Sequence, residues 1–271
     1  MPKTNVINNI KNKIKSIVKI SSAALLLNIG LFATYVQATT VEFQTSQGNF
    51  EVNLYDESTP ATVANFLNYV NAGSYTNTVF HRSIPNFIIQ GGGFIFEGSS
   101  TLTPIATNAT VINEPVWSSV QGTIAMAKPG NDANGATNQW FFNTQNNSSD
   151  LDTQNNGFTV FGQVTGDGMD IINTIAAQPR CSFTTLFSDV PMIEAYNCAV
   201  GSEPGSEDYI TVYSIAVLDS TVNTVDGLTQ VPNTLINNTD NDNNSTDSSG
   251  GTFYWLILLG FSVFSFRSYR K

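Results

Sequence analysis

Two stretches of this chain concentrate side chains able to do chemistry. FHRSIPNFIIQGGG, Phe80 to Gly93, holds the sole histidine, His81, beside Arg82, with Gln90 and a triple glycine downstream. GTIAMAKPGNDANGATNQWFFN, Gly122 to Asn143, holds Lys128 and Gln139. The glycines match neither the dinucleotide nor the Walker spacing, and no lysine follows them, which argues against a phosphate loop. One histidine without paired cysteines cannot assemble a zinc site. No G-x-S-x-G elbow supplies a nucleophile for His81 to activate. The acidic run DNDNNSTDSSGG, from Asp240, lacks the glycine at position 6 and the glutamate at position 12 of a calcium loop.

What remains is a reaction needing no nucleophile, base, metal or cofactor. Rotation about an X-Pro bond is one: resonance sets a barrier of about 18–20 kcal/mol, and uncatalysed exchange takes tens to hundreds of seconds. Bringing it to milliseconds means removing about 6–7 kcal/mol at about 1.36 kcal/mol per decade. One guanidinium and a shaped apolar pocket can supply that.

The elements that must hold such a site are mostly strands. VEFQTSQGNFEVNLY alternates around Gly48 as a hairpin, with Val41, Phe43, Phe50, Val52 and Leu54 on one face. In TPATVANFLNYVNAG, Thr59 can cap, Pro60 suits the first turn and Gly73 the end, while Val63, Phe66, Leu67 and Val70 form one stripe of a helix. GMDIINTIAAQ repeats the pattern through Met169, Ile172, Ile175 and Ala176 until Pro179. With FIIQGG, GTIAMA, WFFNT, FTVFGQV and YITVYSIAVLD as further strands, the pattern predicts an all-β-dominated fold: a closed antiparallel β-barrel capped by two α-helices.

Both ends differ from this middle. Residues 1–38 carry five lysines and no acid, then an apolar run ending in Val36-Gln37-Ala38, the layout of a signal peptide cleaved after Ala38, with an N-terminal anchor that stays as the alternative. Residues 220–251 are polar and low in complexity, as a flexible linker would be. Residues 252–271 form a short hydrophobic segment ending in Arg267, Arg270 and Lys271, charges on the side that the positive-inside rule requires. With Gly250-Gly251 before it, this tail resembles the GlyGly-CTERM sorting signal of Gram-negative bacteria. That resemblance implies at least transient membrane insertion and cleavage near the glycine pair; a permanent anchor is the alternative. The chain is therefore expected to be exported, to the periplasm or the cell-envelope membrane, and to be released if the tail is cut.

Charge and cysteines fit an exported domain. Residues 39–251 hold all 21 acids against three bases, Arg82, Lys128 and Arg180, a formal −18. A surface this acidic repels nucleic acid and anionic lipid. Cys181 and Cys198 lack C-x-x-C spacing, and an even count in an exported chain favours a disulfide.

FHRSIPNFIIQGG resembles the cyclophilin signature F-H-R-x-I-P-x-F-x-x-Q-G-G, and GTIAMAKPGNDANGATNQWFFN resembles the family's second signature in its bacterial periplasmic form. FTVFGQV with the second helix is similar to the third segment, so the resemblance runs from Thr40 to Asp219 within a domain of residues 39–219. It implies that the barrel is a closed eight-stranded antiparallel one, and that the chain is a monomeric peptidyl-prolyl isomerase acting on proline-containing polypeptides. Arg82 then takes the catalytic position, hydrogen-bonding the prolyl nitrogen as it pyramidalises, with Gln90 holding it and contacting substrate. Phe87, Ile88, Phe141 and Leu151 wall the proline pocket, Ala127 and Lys128 are main-chain contacts, and Gln139 is a second polar contact. Strand alternation places His81 on the face opposite Arg82, as a structural hydrogen-bonder. The same residues would also serve a proline-peptide-binding module or chaperone with little catalysis.

Three positions depart from the family pattern. Asp150 stands where many eukaryotic members have a pocket-rim tryptophan, Phe158 where a histidine or tyrosine is frequent, and Trp140 where phenylalanine is usual. An additional segment of about residues 178–208 holds both cysteines and reads as an insertion before the last strand, a partner-binding loop or an ornament.

Overall fold

The computed structural model describes residues 39–98, 102–200, 203–219 and 228–236. The segments read as signal peptide and hydrophobic tail, and the Gly250-Gly251 pair, lie outside the described residues.

Thirteen strands and three α-helices follow one another in the described chain. They are β1 (Thr40–Thr45), β2 (Gly48–Leu54), α1 (Pro60–Asn71), β3 (Thr78–Val79), β4 (Arg82–Ile84), β5 (Ile88–Gly91), β6 (Phe94–Ile95) and β7 (Thr103–Pro104). After them come β8 (Thr123–Met126), β9 (Trp140–Asn143), α2 (Ser148–Leu151), β10 (Val160–Val164), α3 (Gly168–Ala177), β11 (Arg180–Cys181), β12 (Val190–Pro191) and β13 (Thr211–Asp219). Eleven strands form one antiparallel sheet in the order β4-β5-β9-β8-β10-β2-β1-β13-β3-β6-β7.

This sheet curls without closing, so the expected closed eight-stranded barrel gives way to an open half-barrel. Its outer strands, β4 and β7, do not pair with each other. The physical reason lies at β4: the Ser83 N–H donates to the Asp189 carbonyl at 2.8 Å, so a loop rather than a strand covers that edge. Very short strands, β3, β6 and β7, account for the extra members of the sheet.

Both expected helices form, and α2 adds a single short turn. Thr59 occupies the cap position of α1 but makes no cap; its hydroxyl donates to the Tyr55 carbonyl at 3.1 Å. The Glu114 carboxylate takes its place, accepting from the Ala61 and Thr62 amides at 3.2 and 2.9 Å. A full negative charge at the positive end of the helix dipole outcompetes a hydroxyl.

Strand alternation divides the sheet into two faces. Phe43, Phe50, Phe66, Ile89, Trp140 and Phe142 belong to the main core under α1 and α3. On the other face Ile84, Ile88, Ala125, Phe141 and Val160 form a second apolar cluster. Trp140 fits its crowded side because the glycine run leaves room: a Cβ on Gly91 or Gly92 would meet its indole at 2.6 or 2.4 Å. Gly92 also has φ +77, a conformation few other residues adopt without strain. Of the stretch read as linker, residues 228–236 lie against the domain: Pro232 bridges Trp117, and the Ser118 amide donates to the Val231 carbonyl at 2.8 Å.

Candidate active site

The second face carries a row of cross-strand partners. Arg82 on β4 pairs with Gln90 on β5, Gln90 with Phe141 on β9, and Phe141 with Ala125 on β8. Residues directly opposite on one face stand within side-chain reach. The guanidinium, amide and aromatic ring are thus set side by side by register alone.

The β4–β5 turn completes the mouth of this site. Asn86 takes φ 51, tolerable for asparagine, and the Phe87 amide donates back to the Ile84 carbonyl at 3.2 Å. Phe87 is left half-buried beside Ile84 and Ile88. Asn147 holds the turn from below, donating to the Phe87 carbonyl at 2.8 Å and to Asn143 Oδ1 at 2.7 Å.

The far wall comes from the loop around α2. Leu151 and Phe158 are buried, and the Phe158 ring stands edge-on to Phe141 with centroids 5.6 Å apart. Asp152 fixes this loop, accepting from the Ser119 amide at 2.8 Å and from the Ser118 hydroxyl. Ala127 belongs to the same cluster, its amide donating to the Gln139 carbonyl at 2.9 Å. Arg82, Phe87, Ile88, Gln90, Ala127, Phe141, Leu151 and Phe158 are therefore brought together on one face.

A polar chain runs behind them. Arg82 donates to Gln90 Oε1 at 3.3 Å, and Gln90 Nε2 donates to Gln139 Oε1 at 2.8 Å. Gln139 also hydrogen-bonds the His81 side chain. Gly93 has no Cβ where the Gln139 side chain lies; one added there would stand 2.8 Å from its Cδ.

His81 is buried, as a structural histidine would be, but its tie to Gln139 joins it to the polar chain of Arg82 rather than to the main core. The His81 amide donates to the Gln90 carbonyl at 3.0 Å, just before β4 begins at Arg82. Its ring packs edge-on against Phe94 at 4.8 Å. Burial lowers the imidazole pKa from 6.5 to about 4, so it is neutral at neutral pH.

Lys128 does not present its side chain to the cleft. Its Nζ donates to the carbonyls of Ala133 at 3.2 Å, Asn155 at 2.8 Å and Gly157, and sits 5.0 Å from the centroid of the Phe158 ring. Burial lowers its pKa to about 8. It thereby staples the far wall from behind. Asp150 is exposed on α2.

Burial also lowers the Arg82 pKa, and the nearby Asp189 carboxylate works against that shift. Asn147, Asp152 and Asp189 carry no motif of their own. Their roles depend on partners distant in sequence, which no local pattern marks. Among the described residues no group of three or more histidine, cysteine or carboxylate side chains could hold a metal ion. Cys181 and Cys198 form a disulfide.

This arrangement can bind an apolar five-membered ring between Phe87, Phe141, Leu151 and Phe158 and bring a guanidinium N–H to its edge. Comparison with known proteins points to peptidyl-prolyl isomerases. Residues 40–196 match the family model for cyclophilin type peptidyl-prolyl cis-trans isomerases. The chain is 38% identical over 164 residues to a peptidyl-prolyl cis-trans isomerase of Acinetobacter baylyi, covering 59% of this chain and 84% of that protein. It is also 38% identical to peptidyl-prolyl cis-trans isomerase A of Dickeya dadantii, covering 58% and 83%, and to isomerase B of Escherichia coli, covering 50% and 82%. Signatures, site geometry and relatives agree that the chain belongs to the cyclophilin-type peptidyl-prolyl cis-trans isomerase family.

Proposed function

We propose that the enzyme isomerises X-Pro bonds of flexible polypeptides in the cell envelope, with Arg82 as the group that lowers the barrier. The observation carrying this reading is the row Arg82, Gln90, Phe141 on three adjacent strands. Substrate proline enters the apolar cluster, which strips water from the amide. As the C–N bond twists, the nitrogen gains a lone pair that the Arg82 guanidinium can hydrogen-bond. The planar amide nitrogen offers no such lone pair, so the contact favours the twisted state and lowers the barrier. Gln90 keeps the guanidinium beside the ring, while Ala127, Lys128 and Gln139 serve as further contacts along the substrate chain.

Export and membrane attachment are part of the same reading. They are supported by the signal-like leader, the tail and the strongly acidic, cystine-bearing domain. Among the described residues no helix is long and apolar enough to cross a membrane; the tail is proposed as the membrane-associating element on its apolar run and flanking basic residues. The domain is proposed to act as a monomer.

Exchange NMR on a proline peptide tests the mechanism: Arg82→Ala should slow cis/trans exchange by about 10²–10³. An unchanged rate overturns it. Mass spectrometry of the protein from fractionated native cells tests the rest: an N-terminus at Met1 would sink cleavage of the leader, a C-terminus at Lys271 would sink tail processing, and recovery from the cytosolic fraction alone would sink export.

A further inference from the structure

The excursion between α3 and β13 meets the sheet at the strand that carries Arg82. It is closed twice, by the β11–β12 ladder pairing Cys181 with Val190 and by the Cys181–Cys198 disulfide. Its buried Phe187, Val190 and Met192 cluster with Val79 and Phe94. Phe94 is the link to the site, its ring edge-on to Phe187 at 5.0 Å and to His81 at 4.8 Å. A dry contact of this kind fixes the excursion against the residue that precedes Arg82.

Asp189 lies where the excursion touches β4. Its carbonyl accepts the Ser83 amide at 2.8 Å, on the edge of β4 away from β5. The Ser188 hydroxyl donates to Asp189 Oδ2 at 2.7 Å and restrains the carboxylate. That carboxylate acts on the neighbouring guanidinium, opposing the loss of charge that burial favours. Gln90 therefore stands on one edge of β4 and Asp189 on the other.

We propose that Asp189, delivered by the cystine-closed excursion, is a positioning residue for Arg82. It holds the guanidinium in the orientation that meets the prolyl nitrogen, complementing Gln90 from the opposite edge of the strand. The excursion is then part of the isomerase machinery rather than an ornament. This inference rests on the reading of Arg82 given above.

Asp189→Asn tests it, since asparagine keeps the main-chain carbonyl and the side-chain volume. We expect kcat to fall about three- to tenfold with KM within about twofold, because only the oriented, rate-raising contact is lost. Asp189→Glu should restore most of the rate. The Arg82 Nε–Hε NMR resonance gives a second readout: it should shift towards the position of an exposed arginine in Asp189→Asn, and move the same way when the disulfide of the native chain is reduced. A wild-type kcat with an unmoved resonance overturns the proposal. If Asp189→Asn does not fold, the reduction experiment decides alone, an unmoved resonance again overturning it. Arg82→Ala run in parallel separates the two readings. A fully active Arg82→Ala defeats the arginine mechanism itself, whereas a slow Arg82→Ala beside a fast Asp189→Asn defeats only the role of Asp189.

Discussion

Arg82 and Gln90 face each other across β4 and β5, and the guanidinium donates to the amide oxygen at 3.3 Å. Gln90 in turn donates to Gln139 at 2.8 Å. The arginine is thus held by a neutral, almost wholly buried amide that spends its own donor elsewhere. Gln90→Leu should lower kcat by about tenfold through loss of alignment. Adding Arg82→Ala to it should cost less than Arg82→Ala costs alone, as expected for residues acting as a unit. Single and double variants measured by exchange NMR check this; strictly additive losses would count against the pair.

Phe141 is 2% exposed and touches both the cross-strand pair and Phe158. Phe141→Ala should cost about 3–5 kcal/mol of stability. Phe141→Leu, gentler on the fold, should weaken binding of a proline peptide several-fold. Urea unfolding and peptide titration measure the two effects; unchanged affinity in both variants would move the pocket away from Phe141.

His81 makes a pH prediction with a definite sign. Burial lowers its pKa from 6.5 to about 4. Between those values the unfolded chain takes up a proton that the folded chain refuses, so stability falls as pH drops through that window. The loss attributable to this group is about 3 kcal/mol, complete by about pH 4 and absent above about pH 7. In His81→Asn this component disappears, while the carboxylates, common to both proteins, cancel from the difference. Urea midpoints at several pH values provide the check, and parallel profiles would show that the imidazole is not held neutral.

Lys128 donates to three carbonyls and lies over Phe158. Lys128→Met keeps much of the stem but leaves those carbonyls without their donor, at a cost of about 2–4 kcal/mol. Because the loss falls on the wall of the pocket, KM should rise more than kcat falls. Steady-state kinetics with thermal unfolding would reveal this, and a variant as stable as wild type would contradict the stapling role.

The legible part of the site is the part written in contiguous residues. Arg82, Phe87 and Gln90 sit in one motif whose strand-turn-strand form sets their spacing, and the apolar alternation of WFFN separates Trp140 from Phe141. The glycine run becomes intelligible only with Trp140 and Gln139 in place, since its meaning is the absence of three Cβ atoms. Glu114 at the start of α1, Asn147 under the Phe87 turn and Asp189 beside β4 were not legible. Each works through contacts with a segment far away in sequence, and a carboxylate or amide of that kind looks like any other surface residue. The open sheet was missed for the same reason: the strands were readable, but the loop that ends the ladder was not.

That loop has a consequence for the company this protein keeps. An extended polypeptide readily adds as a further strand to any sheet edge that offers free amides. The Ser83 amide on β4, beside the arginine, would be such an offer were it not already given to Asp189. With that amide taken by the protein's own main chain, the edge of β4 beside Arg82 is closed at Ser83 to an incoming strand.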